Sequence, residues 1–406
     1  MSRNQVFVII GGGLAGATAA KQLRKSGFDG HVHLIAEESH RPYLRPPLSK
    51  EFLLGRKERE KIDVQPSDWY HEQHVELAIG TKVASFGDHT LTLETGHEMP
   101  FDRLLLATGA SPRRLNVPGA SAKGIHYLRT VEDSQALRSA FTSGGKRVVF
   151  IGSGWIGLEL AAAARTYGNE VTVVGPDKIP LSNALGDELG AMFQDLHESN
   201  GVEFKLETNV LGFEQSDGRV AGVLTDHGTV PADLVVVGIG AVPNTALAQA
   251  AGLTIDNGIL VDQHLATSAQ DVFAAGDVAN AYHPFVKQPM RNEHWATAIA
   301  SGKVAAKSML GEDASLDDVP YFYTDQYDLG MEYSGFPPLI RGANVVYRGD
   351  RSKREFIAFW LKSGVVVAGM NVNVWDVNEQ VQALIKSARA VDEAHLADQT
   401  IDLASI

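Results

Sequence analysis

Two short apolar runs, Val6-Phe7-Val8-Ile9-Ile10 and Val148-Val149-Phe150-Ile151, each lead at once into glycines and then into an Ala-rich stretch. An unbroken apolar run that stops at a glycine turn predicts a strand buried on both faces, as in a parallel sheet. The Ala-rich stretches predict helices, the first over Ala15–Ser26. A further apolar strand follows each helix, at Val32–Ala36 and at Val171–Val174. The chain therefore predicts two β-α-β units, the second over roughly Lys146 to Val174.

Between them the pattern changes to short alternating strands, including Val75–Ile79 and Thr90–Leu93. Phe101-Asp102-Arg103-Leu104-Leu105-Leu106-Ala107-Thr108-Gly109 reads as a strand closing on a small-residue turn, and so does Asp271-Val272-Phe273-Ala274-Ala275-Gly276-Asp277-Val278. Pro112 and Pro118 mark a crossing between domains. A β-rich stretch from Val202 to Gly240 completes the second unit. From about Pro320 onward, Tyr321–Tyr323, Met331–Tyr333, Asn344–Arg348, Phe356–Trp360 and Val365–Met370 predict short antiparallel strands, and two polar helices close the chain. The expected domains are 1–111 with 245–319, an inserted 112–244, and 320–406.

The glycines give the two units a chemistry. Gly11, Gly13 and Gly16 form one Gly-x-Gly-x-x-Gly fingerprint, and Gly152, Gly154 and Gly157 form another. The first glycine makes the tight turn, the second lets the backbone approach a pyrophosphate, and the third lets helix pack on strand. The helix N-terminus then offers free N–H groups and a positive dipole end to the phosphates. Two fingerprints imply two dinucleotides held so that one can reduce the other. Glu37 lies about 20 residues beyond Gly16, where an acid can accept both ribose hydroxyls; its alternative reading is a solvated acid at a strand end. The loop Arg41-Pro42-Tyr43-Leu44-Arg45-Pro46-Pro47-Leu48-Ser49-Lys50 is too rich in proline for a regular helix or central strand, and brings two Arg and one Lys to one place.

Composition narrows the chemistry further. The chain has 406 residues, 44% hydrophobic and 21% charged, ordinary for a globular enzyme of two or three domains. A net charge of -13 argues against nucleic acid or an anionic membrane as partner. No apolar run is long enough to span a bilayer, and a strand begins almost at the N-terminus, which leads us to expect a cytoplasmic protein. There is no cysteine, so no redox disulfide or sulfenic acid can form, and electrons must leave a flavin directly. The scattered His residues lack metal-ligand spacing, and no metal is expected.

These motifs, with Ala107-Thr108-Gly109, Gly152-Ser153-Gly154-Trp155-Ile156-Gly157-Leu158-Glu159, Ala275-Gly276-Asp277 and Tyr323-Thr324-Asp325-Gln326, give the whole chain a specific likeness. It resembles the FAD-dependent ferredoxin reductases of bacterial oxygenase and cytochrome P450 systems, the putidaredoxin reductase-like family, whose layout apoptosis-inducing factor and rubredoxin reductase share. The resemblance implies an α/β fold of two Rossmann-like dinucleotide-binding domains, glutathione-reductase-like, plus a C-terminal α+β domain. It implies FAD, NADH or NADPH as electron donor with a lean to NADH, and a [2Fe–2S] ferredoxin as acceptor, feeding an oxygenase or cytochrome P450. Flavin handles both hydride and single electrons, so it can sit between such partners.

Residue by residue, the resemblance seats the FAD pyrophosphate on Gly11, Gly13 and Gly16, and its adenosine ribose on Glu37. It gives Arg45 and Arg129 the diphosphate; Arg129 has the alternative of an ion pair with Glu132 or Asp133. Asp277 would bond the ribitol chain or cap the segment after it. Lys50 and Glu159 would flank the flavin ring, with Lys50 near N5, or form a simple buried ion pair. Glu293 matches a position near the nicotinamide, while His294 and Trp295 serve the cofactors or only pack. The cofactor-binding set further includes Leu14, Ala15, Pro46, Val83, Ala107, Thr108, Gly109, Gly152, Gly154, Trp155, Ile156, Gly157, Lys178, Gly240 and Gly276.

Two departures stand out. Gly175 occupies the strand end where NADH-specific relatives usually carry an acid; Asp177 can take that acid's place, while Lys178 can attract a 2′-phosphate. Tyr323 stands where many relatives have Trp. The basic run Arg348-Gly349-Asp350-Arg351-Ser352-Lys353-Arg354 is either a solvated hairpin turn or a docking edge for an acidic ferredoxin. Competing functions are a quinone or small-acceptor reductase, and an NADH-sensing binding protein like apoptosis-inducing factor. A monomer or weak homodimer is expected.

Overall fold

The computed structural model describes residues 4–406. Its first sheet is parallel, ordered Val272–Ala274, Arg103–Leu106, Val6–Ile10, His31–Ile35 and Val75–Ala78. The middle strands are apolar at nearly every position because both faces are covered, the condition that parallel sheets require. One cover is the helix Leu14–Lys25, which packs on the helix Trp295–Met309. The two approach so closely that a Cβ on Gly302 would lie 2.5 Å from the Ala15 carbonyl oxygen. The small antiparallel sheet Val83–Gly87, Thr90–Leu93 and Glu98–Pro100 adds Val83 and Leu91 to the same core.

The second sheet repeats the design. Val202–Lys205, Glu170–Val174, Arg147–Ile151, Leu234–Val237 and Ile125–His126 lie parallel, and the helix Trp155–Thr166 follows the central strand. Chain enters and leaves this unit side by side: Ala110–Pro112 pairs antiparallel with Ala241–Pro243. Thr108 Oγ1 donates to the Asn244 carbonyl, and Asn244 Nδ2 donates to the Thr108 carbonyl, each at 2.8 Å.

The third sheet is antiparallel, ordered Tyr321–Gln326, Leu329–Gly335, Val365–Val372, Glu355–Lys362 and Asn344–Asp350. Phe356, Met331 and Val372 of this sheet share one core with Phe150, Leu158 and Phe193 of the second unit. Full burial of each such Phe or Leu stabilises by roughly 1.5–3 kcal/mol, enough to hold sheet and unit as one body. The helices Asn378–Ser387 and Glu393–Ala397 cover other residues of the sheet; Val381, Leu384 and Ile385 recur at helical spacing and are buried there.

At each fingerprint the first glycine is dictated by the backbone. Gly11 has φ +126°, and a Cβ there would sit 2.0 Å from the Ala107 carbonyl oxygen. Gly152 has φ +103°, and its Cβ would sit 2.3 Å from the Gly238 carbonyl oxygen. Both turns press against a neighbouring strand's end, which only glycine permits.

Candidate active site

The first fingerprint opens the helix Leu14–Lys25 with Gly13 as N-cap, without a side-chain cap and without an acid in the first turn. A Cβ on Gly13 would meet nothing within 4 Å. The N–H groups at Leu14 and Ala15 thus start a helix end that is open and electropositive. Three distant segments close around it. A Cβ on Gly276 would lie 2.9 Å from that of Ala15, and one on Gly109 would lie 3.1 Å from Arg129 Nη2. Arg129 in turn pairs with Asp277 at 3.0 Å. So Arg129 takes neither Glu132 nor Asp133 as its side-chain partner; Asp133 Oδ2 accepts from the backbone N–H groups of Arg129 and Thr130, each at 2.9 Å.

Arg45, one residue before Pro46, donates to the carbonyl oxygen of Arg129 and to Glu38 Oε1, the latter at 2.6 Å. Burial, and then the Arg45 charge beside it, lower the Arg129 guanidinium from its ordinary value, with Asp277 opposing. Two adjacent guanidiniums next to an uncapped helix end fit an anion of more than one charge, as a diphosphate is. Glu37 follows the strand His31–Ile35 and is itself exposed, with Lys82 at 3.6 Å. Lys82 directly precedes the buried Val83. Gly12 touches the same edge, since its Cβ would lie 2.5 Å from that of Ala36.

Lys50 ends the single 3₁₀ turn Pro46–Ser49 and is buried. Its Nζ lies 2.7 Å from Glu159 Oε1, on the helix that follows the second fingerprint. Glu159 also accepts from Ser49 Oγ at 2.5 Å and from Thr324 Oγ1 at 2.6 Å. The ring of Tyr323 lies under the ammonium, centroid 5.4 Å from Nζ. A buried ion pair stabilises little unless its remaining valences are met, and on the carboxylate they are met by Ser49 and Thr324. Sequence reasoning assigned no role to Ser49 or Thr324, although both lie inside quoted motifs.

Glu293 accepts from Arg291 Nη1 at 2.5 Å, and the same nitrogen reaches the Asp277 carbonyl at 3.3 Å. His294 packs on Phe322, centroids 4.6 Å apart. Burial pushes its imidazole down to about 4, with Asp277 opposing, and its buried Nδ1 lacks a hydrogen-bond partner among the described residues. A buried orphan nitrogen near Asp277 is a place for a ligand's polar atom. Trp295 is partly exposed and lines a surface cleft of about 750 Å³ with Ala281, Lys303 and Tyr321.

The second fingerprint has the same open N-cap. A Cβ on Gly154 would meet nothing within 4 Å, and neither would one on Gly240. Trp155 packs edge-on to Phe193 and Phe322, centroids 5.4 and 5.0 Å away, while Ile156 beside it is exposed. At the strand end Ser153 Oγ donates to Asp177 Oδ2 at 3.0 Å, and Lys178 is exposed. Asp177 therefore lies at the fingerprint, and Gly175 leaves space, its nearest would-be Cβ contact being 3.8 Å.

The basic run of the third sheet is exposed over Arg351–Lys353, and its charges are paired. Arg351 pairs with Glu188 at 2.7 Å, Arg354 with Asp328 at 2.9 Å, and Lys353 with Asp350 at 3.5 Å. Arg348 donates to the carbonyls of Asp398 and Ile401 at 2.5 and 2.6 Å. The run thus sits at an exposed, ion-paired hairpin turn.

The model of the pyridine nucleotide-disulphide oxidoreductases matches residues 6–302, and that of the reductase C-terminal domain matches 321–406. The ferredoxin–NAD(+) reductase component of the anthranilate 1,2-dioxygenase system of Burkholderia cepacia is 38% identical over 400 residues, covering 98% of each chain. Putidaredoxin reductase of Pseudomonas putida is 34% identical over 415 residues, covering 100% of this chain and 97% of that one. The solved covalent complex of putidaredoxin reductase with putidaredoxin superposes with a TM-score of 0.94 at 34% identity, covering 99% and 98% of the two chains. The fold, the open fingerprints and these likenesses agree, and the chain belongs to the pyridine nucleotide-disulphide oxidoreductase family, among its ferredoxin–NAD(+) reductases.

Proposed function

We propose that this chain takes hydride from NADH onto FAD and hands the electrons singly to a [2Fe–2S] ferredoxin that serves an oxygenase or cytochrome P450. The observation that carries the reading is the Lys50–Glu159 pair, which ties the loop of the first unit to the helix of the second at 2.7 Å. FAD, when bound, accepts a hydride and releases one electron at a time. On this reading residues 1–111 and 245–319 hold it. Arg45 and Arg129 balance its diphosphate, the open helix end at Gly13 receives the same group, and Asp277 bonds its ribitol. The Lys50 ammonium stabilises negative charge that develops beside it, and Glu159 holds that ammonium in place. Residues 112–244 receive NADH at Gly154 and Gly157, with Asp177 toward its ribose. With no cysteine in the chain, no thiol lies between flavin and acceptor. No helix among the described residues is long and apolar enough to cross a membrane.

The test is steady-state reduction of a purified [2Fe–2S] ferredoxin with NADH. A saturable ferredoxin rate well above the rate with quinones is expected. Rapid quinone reduction with no ferredoxin rate would instead support the small-acceptor alternative.

A further inference from the structure

Glu159 is the near end of a buried polar chain that the proposed chemistry does not use. Thr324 Oγ1 lies 2.6 Å from Glu159 Oε1, Gln326 Nε2 lies 3.1 Å from Thr324 Oγ1, and Gln326 Oε1 lies 2.7 Å from His197 Nε2. All four side chains are buried. His197 comes from the helix Asp187–Ser199 of the second unit, and Thr324 and Gln326 from the first strand of the third sheet.

Hydrogen-bond valence gives this chain one direction. An ionised carboxylate only accepts, so the single Thr324 hydroxyl hydrogen goes to Glu159. Thr324 must then accept from the Gln326 amide nitrogen, which turns the amide oxygen toward His197. His197 must therefore donate, so its proton sits on Nε2. Its Nδ1 faces the Tyr327 hydroxyl at 3.5 Å. Burial keeps the imidazole neutral, down to about 4, which suits a group with one donor and one acceptor. Every donor in the series points toward Glu159.

We propose that His197 is a positioning residue for the Lys50–Glu159 pair, acting through Gln326 and Thr324 to aim the hydroxyl that holds Glu159 Oε1. The proposal rests on the reading of Lys50 and Glu159 as the pair beside the reacting flavin. Without the imidazole donor, the Gln326 amide can turn over and present its oxygen to Thr324. The Thr324 hydrogen then follows it, and a hydroxyl lone pair faces the Glu159 carboxylate. Glu159 is pushed away from the geometry that holds Lys50.

The experiment uses the FAD-loaded protein with His197→Phe, which keeps a ring but has no donor, and His197→Gln, whose amide nitrogen reaches a similar place. Reduction of the flavin by saturating NADH in rapid mixing should slow about fivefold to tenfold in His197→Phe, a range typical of mutations that act through a network. The Kd for NADH should stay within about twofold, and His197→Gln should recover most of the rate. Gln326→Leu should slow reduction similarly, and the double variant should be no slower than either single one, as for residues acting in series. A second readout needs no turnover. In nitrogen-15 histidine spectra of the oxidised protein without NADH, the signal lost in either His197 variant should be a neutral Nε2–H tautomer, and Gln326→Leu should turn it into a mixture. A dominant Nδ1–H tautomer, a full reduction rate in His197→Phe, or a slow His197→Gln with unchanged thermal stability would each overturn the role of His197. A wild-type protein whose flavin NADH does not reduce would overturn the underlying reading instead.

Discussion

The two Gly-x-Gly-x-x-Gly turns share their backbone and differ in what is built around them. Gly11 and Gly152 both press on a carbonyl of the neighbouring strand's end, and Gly13 and Gly154 are both open. Around the first, side chains from three distant segments lock together: Glu38 and Arg45 of one loop, Arg129 and Asp277 are joined by ion pairs and hydrogen bonds. At the second, the charged groups at the strand end are a half-buried Asp177 on Ser153 and an exposed Lys178. A pre-arranged charge framework suits a group that stays bound, because little ordering remains to be done on binding. An exposed, sparsely fixed rim suits a nucleotide that must leave after each hydride transfer. The same motif thus serves retention in one place and exchange in the other.

The sharpest way to break that comparison is to alter the same glycine in both turns. Gly11→Ala faces both a left-handed φ and a carbonyl contact, a cost of about 3 kcal/mol or more. It should give protein that purifies colourless. Gly152→Ala faces the same strain but should stay yellow, with NADH binding weakened at least tenfold by titration. Loss of flavin from both would show that the two seats are not separate.

Lys50→Met should leave FAD bound and slow its reduction by NADH by roughly a hundredfold to a thousandfold, the scale of losing one charge-stabilising group. Stopped-flow absorbance checks this, and an unchanged rate would leave the pair with a structural role only. Asp277→Ala removes one member of the first framework and should weaken FAD retention by about 1–3 kcal/mol, measured by flavin release on dilution. Retention equal to wild type would mean that Arg129 alone carries that end of the site. The smallest effect is expected at the second rim. Gly175→Glu meets no close contact at its Cβ and should shift preference toward NADH by roughly tenfold, about 1.4 kcal/mol, by adding a ribose partner and repelling a 2′-phosphate. A wild type already selective by about a thousandfold, roughly 4 kcal/mol, would show that another residue discriminates.

What sequence discloses here follows the range of the interaction. The turns at Gly11 and Gly152 were legible because strand, glycines and helix are contiguous, and the antiparallel strands after Pro320 were legible from local alternation. The first helix differs from expectation only at its ends, Leu14–Lys25 in place of Ala15–Ser26, where capping leaves a residue of latitude. The meeting of Lys50 with Glu159 came from the family resemblance, since no local period relates residues so far apart. Arg351 looked free because its partner Glu188 belongs to another unit. Glu38 escaped notice beside Glu37 because nothing local says that its carboxylate turns inward to Tyr43 and Arg45. His197 carried no signal at all: its only neighbours in the polar chain are set by how the third sheet docks on the second unit.

The strand order of the first sheet has a consequence in time. Its edge strand Val272–Ala274 pairs with Arg103–Leu106, whereas the whole second sheet lies between Ile125 and Val237. As the chain emerges from the ribosome, the second sheet can close while the first still lacks a strand. Until residue 274 is made, Arg103–Leu106 presents unpaired backbone groups and an apolar face, the kind of edge that invites wrong partners. Gly276 and Asp277 come directly after that strand. The flavin seat is therefore finished only once the unit inserted within it has had the opportunity to fold.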